Sequence, residues 1–99
     1  MFTHLVFFWL NENTPPSERD STLADCRELL RKIPGVRTIE AGKPAGTDRP
    51  VVDNSYDIGL CVILNDRAAH DAYQNHPLHQ QFLAKHRQHW KKILVYDYE

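Results

Sequence analysis

The sequence lacks the features that mark membrane-spanning and exported proteins. No uninterrupted apolar run approaches the ~18–20 residues that a membrane-spanning helix needs. The amino terminus, which begins Met1-Phe2-Thr3, has neither the charged region nor the cleavage site of a signal peptide. We therefore expect a protein with no membrane partner and a cytoplasmic location.

Surplus charge, clustered glycine and paired cysteine are also missing. Lysine and arginine number 12 against 13 acidic residues, for a formal net charge of −1, whereas a nucleic-acid binder normally has a basic surplus. The 4 glycines are scattered rather than gathered in a phosphate-binding loop, and no nucleophile motif surrounds a serine. Cys26 and Cys61 lie in a helix pattern and a strand pattern, so each is expected to be a small apolar residue rather than half of a disulfide. We expect no nucleic-acid partner.

The sequence does contain enough apolar material for one globular unit. Hydrophobic residues make up 41% of the 99 positions, as in ordinary folded domains. No internal repeat, low-complexity tract or linker divides the chain. We therefore expect a single domain over residues 1–99.

The opening segment is almost entirely apolar and predicts a strand buried on both faces. A sheet that carries helices on one side needs only one apolar face. The second face is therefore expected to be covered by another copy of the chain, which makes the protein a homodimer. The helix-facing set is Phe2, His4, Val6 and Phe8, and the partner-facing set is Leu5, Phe7 and Trp9.

Helical and strand patterns alternate along the rest of the chain. Their order is typical of a ferredoxin-like α+β fold, β-α-β-β-α-β, with a four-stranded antiparallel sheet and its helices on one face. Two such sheets packed face to face make a dimeric α/β barrel. The predicted elements are a helix over 15–33 with Thr14 as its N-cap, strands over 36–43 and 55–64 with Tyr56 on the face of Ile58, a helix from Asn65-Asp66 to Asn75, a helix over 77–91 whose apolar stripe includes Phe82, His86 and Trp90, and a strand over 93–98.

The break between the last two helices brings three polar rings together. Pro77 disfavours helical geometry in the preceding residue, so the first helix should end near Asn75. The same proline suits the first turn of the next helix. Tyr73 would end one helix, His76 would lie at the bend, and His79 would lie one turn into the next helix. Any chemistry that the protein performs is expected at this break.

Several short motifs along the chain together resemble the stress-responsive dimeric α/β-barrel (Dabb) family. The resemblance covers nearly the whole chain and implies a homodimer joined through its sheets, with a small cavity between sheet and helices in each subunit. The motifs are Thr3-His4-Leu5-Val6-Phe7-Phe8, Ile33-Pro34-Gly35-Val36, Tyr56-Asp57, Ala72-Tyr73 followed by His76-Pro77-Leu78-His79, and Val95-Tyr96-Asp97-Tyr98.

The resemblance also implies a chemistry. A plant member of the family, olivetolic acid cyclase, closes a linear polyketide by an aldol reaction, and its catalytic histidine and assisting tyrosine match His79 and Tyr73. A pocket histidine in its first strand matches His4. The present chain differs around the motif, where Asn75 precedes it and Gln80 and Gln81 replace small residues. An imidazole can remove a proton α to a carbonyl, and a phenol can hydrogen-bond the resulting enolate.

These residues also have simpler interpretations. His79 could hydrogen-bond a backbone carbonyl or Tyr73 and only fix the helix junction, or contact a ligand without chemistry. His4 could be a core histidine with satisfied nitrogens. The alternative function is then a non-catalytic structural or stress-associated dimer. In the small-ligand interpretation, the residues expected to bind a small-molecule ligand are His4, Val6, Phe8, His76 and Phe82.

Six histidines in a chain of this length raise the question of a metal. His76 and His79 are three residues apart, as are His86 and His89, so each pair could approach one helix face. No cysteine or carboxylate completes a recognisable ligand set, and a zinc site needs three or four converging ligands. We expect neither a metal nor another cofactor.

Overall fold

The computed structural model describes residues 1–99, and its elements follow the predicted order. Two short 3₁₀ turns, at Leu30–Lys32 and Arg87–His89, accompany the regular elements. None of the three helices is both long and apolar enough to cross a membrane. The elements are β1 (Phe2–Leu10), α1 (Pro16–Glu28), β2 (Val36–Gly42), β3 (Ile58–Leu64), α2 (Arg67–Asn75), α3 (Pro77–His86) and β4 (Trp90–Tyr98).

The four strands form one antiparallel sheet in the order β2-β3-β1-β4. In this ferredoxin-like arrangement β1 lies in the interior, where it pairs with β3 on one side and β4 on the other. His4 lies opposite Val62 in β3 and Asp97 in β4. The predicted fold class is therefore confirmed, and β1 is the strand that brings the two halves of the chain together.

The two faces of β1 differ in burial as the alternating pattern predicts. Its even-numbered residues from Phe2 to Leu10 are buried under the helices, whereas the odd-numbered residues are only partly covered. Leu23 and Leu30 from the α1 side and Phe82 from α3 close the core over the buried face. The other face of the sheet has no helix on it.

The first helix is shorter than predicted. It ends at Glu28 rather than at Ile33, and a 3₁₀ turn carries the chain to Lys32. Ile33 is already extended, as expected for a residue that precedes a proline. The predicted N-cap was also wrong, because Pro15 occupies that position and the buried Thr14 hydroxyl makes no hydrogen bond.

The third strand begins at Ile58, three residues later than predicted. Tyr56 therefore does not share the face of Ile58. Its ring packs against Phe7 and Trp9, on the uncovered side of the sheet, with ring centroids 5.0 and 6.4 Å apart. The side chain of Asp57 explains the late start, because it accepts a hydrogen bond from the Leu10 backbone N–H at 2.7 Å and holds the loop against the end of β1.

The last helix is also shorter than predicted, and the last strand is longer. The helix ends at His86, and β4 begins at Trp90, which pairs with Leu10 across a register shift in β1. Trp90 is therefore not part of a helical stripe. Its ring nevertheless packs on Phe8 and Phe82, with centroids 4.8 and 5.9 Å away. The start of β4 therefore places this ring in the same core that the predicted helix would have reached.

Candidate functional site

The helix break is built as the sequence predicts. Asp66 caps α2 by accepting a hydrogen bond from the Ala69 N–H at 2.8 Å, and α2 ends at Asn75. Pro77 opens α3. The Nδ1 atom of His76 accepts a hydrogen bond from the Leu78 N–H at 3.1 Å, which caps the new helix. His76 is thus used at the junction itself.

A cavity of about 230 Å³ lies between the sheet and α3. Its wall is mainly apolar, with a few polar rings, which is the usual composition of a small-molecule site. Six of the seven residues expected at the site are among the lining residues, three from β1, two from α3 and the tyrosine of α2, and only His76 is not. The lining residues are His4, Val6, Phe8, Leu30, Leu60, Tyr73, Gln74, His79, Phe82, Leu83, Trp90, Ile93 and Val95.

Tyr73 and His79 meet in this cavity. Their ring centroids are 4.9 Å apart in an edge-to-face arrangement, since the bend at Pro77 removes the phase difference that six residues would create on one straight helix. Burial raises the pKa of the Tyr73 phenol, so it stays protonated at neutral pH. Burial, with smaller contributions from the nearby His4 and His70, lowers the pKa of His79, so its imidazole is neutral.

His4 contributes a second imidazole and has a carboxylate partner. Its Nδ1 lies 2.5 Å from Oδ1 of Asp97, and its ring centroid lies 6.0 Å from that of Tyr73. Burial lowers the pKa of His4, although the Asp97 carboxylate acts in the opposite direction. Because the carboxylate accepts the Nδ1 proton, Nε2 is left as the unprotonated nitrogen of the neutral ring.

Two polar atoms of residues that line the cavity are buried without any hydrogen-bond partner. They are Nδ1 of His79 and Nε1 of Trp90. A buried polar atom that makes no hydrogen bond costs roughly 1–3 kcal/mol, so such atoms are uncommon in native proteins. Nδ1 of His79 can accept a hydrogen bond when it is unprotonated, whereas Nε1 of Trp90 can only donate one.

A second polar cluster adjoins the cavity. His4, His70 of α2 and Asp97 of β4 each place a ligand-type atom within 4.8 Å of the others. The two histidine pairs considered from sequence are not part of it, because His76 caps a helix and His86 is buried against α1. The three members are far apart in sequence and come from three elements, so no local spacing could have revealed them.

Sequence reasoning missed several lining residues. The helical pattern places Trp90 on a helix, and no motif marks the β4 residues Ile93 and Val95 as lining residues. Asp97 stands out in the sequence only as part of the Val95-Tyr96-Asp97-Tyr98 motif. A usable signal existed, because antiparallel pairing of a terminal strand with β1 sets Asp97 opposite His4.

The chain belongs to the Dabb family, whose model, the stress responsive A/B barrel domain, matches residues 2–99. A Dabb-family protein from Mesorhizobium loti, described with a ferredoxin-like fold, is 28% identical, with a TM-score of 0.80 and 99% and 94% of the two chains covered. Comparison with curated proteins finds no match.

Two further solved structures share the fold at lower identity. A protein of unknown function from Thermobifida fusca, described as dimeric and ferredoxin-like, is 21% identical, with a TM-score of 0.81 and 98% and 88% of the two chains covered. The hydroxynitrile lyase from Passiflora edulis is 19% identical, with a TM-score of 0.81 and coverage of 98% and 90%. At this identity the likeness concerns the fold alone.

Proposed function

We propose that the protein binds a small carbonyl compound between its sheet and α3 and catalyses proton transfer on it without a cofactor. The observation that carries this proposal is the buried Nδ1 of His79, which has no hydrogen-bond partner and belongs to a ring 4.9 Å from a protonated phenol. A base with a free lone pair next to a proton donor is the arrangement that enolisation requires.

His79 serves as the base in this proposal. Its Nδ1 accepts the proton from the carbon α to the carbonyl, with the other ring nitrogen protonated. Tyr73 donates its hydroxyl hydrogen bond to the carbonyl oxygen as negative charge develops there. The proton on His79 then returns to carbon, or leaves on a new hydroxyl group if the enolate has attacked a second carbonyl.

The rest of the cavity supports the same use. The indole N–H of Trp90, which has no partner within the chain, is a second donor for a substrate oxygen. The volume of about 230 Å³ is below the ~300–1,000 Å³ of typical ligand pockets, which favours a compact substrate. The hydroxynitrile lyase of the same fold supports the idea that this architecture can host an enzyme.

The test is exchange of α-protons for deuterium in a small ketone, followed by NMR in D₂O with 2-pentanone or cyclohexanone. We expect the wild-type protein to accelerate exchange. His79→Gln should remove about 99% or more of the acceleration, because a general base typically contributes ~10²–10⁴-fold. His89→Gln is the matched control, since His89 lies near Glu18, outside the cavity.

The control variant should exchange at the wild-type rate. If the wild-type protein accelerated neither ketone, or if His79→Gln and His89→Gln were equally active, His79 would not be the base. If the wild-type protein catalysed no exchange and His79→Gln changed only the melting temperature, the result would favour the non-catalytic dimer.

We further propose that the uncovered sheet face joins two copies of the chain. Leu5, Phe7 and Trp9 remain partly exposed on it, and Tyr96 and Tyr98 of β4 are 57% and 61% exposed. A continuous apolar and aromatic face of this kind is typical of an interface. The description of the Thermobifida fusca neighbour as dimeric supports the same assembly.

Replacement of Phe7 by Asp should convert the dimer to monomer, because the interface would have to bury an unpaired carboxylate. Size-exclusion chromatography with light scattering measures this directly. Gln81→Asp places the same charge on the exposed side of α3 and should remain dimeric. A monomeric wild-type protein, or a dimeric Phe7→Asp variant, would show that this face is not the interface.

A further inference from the structure

We propose that His4, His70 and Asp97 bind a divalent first-row transition metal ion of the Zn²⁺ type. These residues come from β1, α2 and β4, and their ligand-type atoms lie within 4.8 Å of one another. Two imidazoles and one carboxylate form a ligand set that such ions use, and they leave one or more coordination positions open. The site is distinct from the proposed base and phenol.

The carboxylate of Asp97 lies between the two imidazoles. Its Oδ1 is 2.5 Å from Nδ1 of His4, and its Oδ2 is 3.9 Å from Nε2 of His70. Zinc–nitrogen and zinc–oxygen bonds are ~2.0–2.2 Å long, so an ion among these atoms requires modest side-chain shifts. Such shifts are available, because Asp97 lies near the end of β4 and its side chain is 37% exposed.

His70 is already oriented as a ligand. Its Nδ1 lies 3.2 Å from a carboxylate oxygen of Asp71, which accepts the ring N–H, and its ring stacks on Phe2 with centroids 4.2 Å apart. Proton donation through Nδ1 leaves the lone pair on Nε2, the atom nearest Asp97. Nε2 also lies 3.2 Å from the Gln74 amide nitrogen, and a metal ion at Nε2 would replace the hydrogen bond that this amide donates to the lone pair. Metal-bound histidines usually donate their other ring N–H to a carboxylate, as His70 does to Asp71.

An open pocket gives access to the cluster from solvent. It has a volume of about 250 Å³ and its wall contains three carboxylates but one arginine, so its charge favours a cation. The same space would admit water or a small ligand to the open coordination positions. The lining residues are Phe2, Arg67, His70, Asp71, Asp97, Tyr98 and Glu99.

The metal would compete with a proton. In the ion-free arrangement the His4 N–H donates to Asp97, and a metal bound to Nδ1 must displace that hydrogen. In the neutral ring this hydrogen moves to Nε2, so binding requires the other tautomer of His4 and no net loss of a proton. His79 and Tyr73 supply none of the three ligands, so the metal site can be present or absent whether or not the proposed carbonyl chemistry occurs.

The experiment titrates the untagged, chelator-treated protein with Zn²⁺ by calorimetry and with Co²⁺ by visible absorption. We expect one ion per chain and an increase in Co²⁺ absorption as water ligands are replaced. His70→Ala should weaken binding at least tenfold. His89→Ala is the matched control, because His89 lies 3.4 Å from the Glu18 carboxylate and does not belong to the three-residue cluster.

Asp71→Asn gives an independent readout. It keeps all three ligands and alters only the group that orients His70, so affinity should fall about 10–100-fold, as for other outer-sphere changes. Absence of saturable binding to the wild-type protein at about 1 mM Zn²⁺ would overturn the proposal, since that limit corresponds to only about 4 kcal/mol. Equal affinities in His70→Ala and His89→Ala would also overturn it.

Discussion

The two inward-facing histidines of α3 have opposite surroundings. His79 and His86 lie seven residues apart on one short helix, two turns apart on the same side. His86 is fully buried, and both of its ring nitrogens have hydrogen-bond partners. His79 is half-buried, and its Nδ1 has none. The same residue type therefore has two different environments within one helix.

The His86 region is a closed network between α1 and α3. The Thr22 hydroxyl donates to the Glu18 carbonyl oxygen at 2.9 Å and lies 3.0 Å from Nδ1 of His86. On the other side of the ring, Nε2 lies 2.6 Å from the Asp25 carboxylate, which also accepts a hydrogen bond from Lys85 at 2.9 Å. Each polar atom around this ring has a partner within the chain.

The difference separates a histidine that stabilises the fold from one that is available to a ligand. A buried polar group without a partner destabilises the folded state. A residue with a purely structural role is therefore expected to have its polar atoms paired. Where such a cost persists beside a cavity, binding of a ligand can recover it. The comparison thus predicts that changes at His86 affect stability and that changes at His79 affect activity.

The larger stability effect is expected at His86. Replacement by Leu keeps a similar volume but leaves the buried Thr22 hydroxyl and one side of Asp25 with fewer partners. The free energy of unfolding should fall by about 2–3 kcal/mol, the cost of leaving such groups unsatisfied. Urea denaturation measures the loss, and the α-proton exchange rate per folded molecule should be unchanged.

A matched control tests whether the network, rather than charge alone, causes the loss. Lys85→Ala removes the exposed partner of Asp25 and should cost less than about 1 kcal/mol, as exposed ion pairs usually do. Similar losses for both variants would mean that the buried ring contributes nothing specific. Loss of exchange activity in folded His86→Leu would remove the separation between the two histidines.

The sequence could predict the fold because local signals and the apolar pattern agree along most of the chain. The strand over Phe2–Leu10 and the helix break at Pro77 both agree with the prediction. The ends of the elements agree less well. The helix pattern continues through residues 87–91, whereas Arg87–His89 forms a 3₁₀ turn and pairing of Trp90 with Leu10 makes Trp90 the first residue of β4. Local sequence does not show this pairing, because the two residues are eighty positions apart.

The residues of the site also differ in how far local sequence predicts them. Tyr73 and His79 are visible in sequence because one proline sets their relation. The partners of His4 are harder to predict, since Asp97 is set opposite His4 by strand pairing and His70 reaches it through the packing of α2 on the sheet. The tertiary contacts that complete the site follow from the fold rather than from any motif.

The smallest expected effect is a difference in how the two regions respond to acid. Burial first, then His4 and His70, lower the pKa of His79 below its ordinary 6.5, so the folded state binds this proton less readily than the unfolded state. Stability from neutral His79 is therefore complete above pH 6.5 and decreases as the pH falls through the lowered pKa. His4 contributes with the same sign.

Burial acts to raise the pKa of Asp25, but hydrogen bonds from Lys85 and His86 outweigh it and hold the pKa below its ordinary 3.8. The stability that Asp25 provides is thus lost only in stronger acid.

His79→Leu should make the free energy of unfolding decline less steeply just below pH 6.5. The change in slope should be a fraction of the ~1.4 kcal/mol per pH unit that one proton implies, since His79 is partly open to solvent. The decline below pH 3.8 should be unchanged. Urea unfolding at a series of pH values measures both regions, and an unaltered slope near pH 6 in this variant would mean that His79 is not held neutral by the fold.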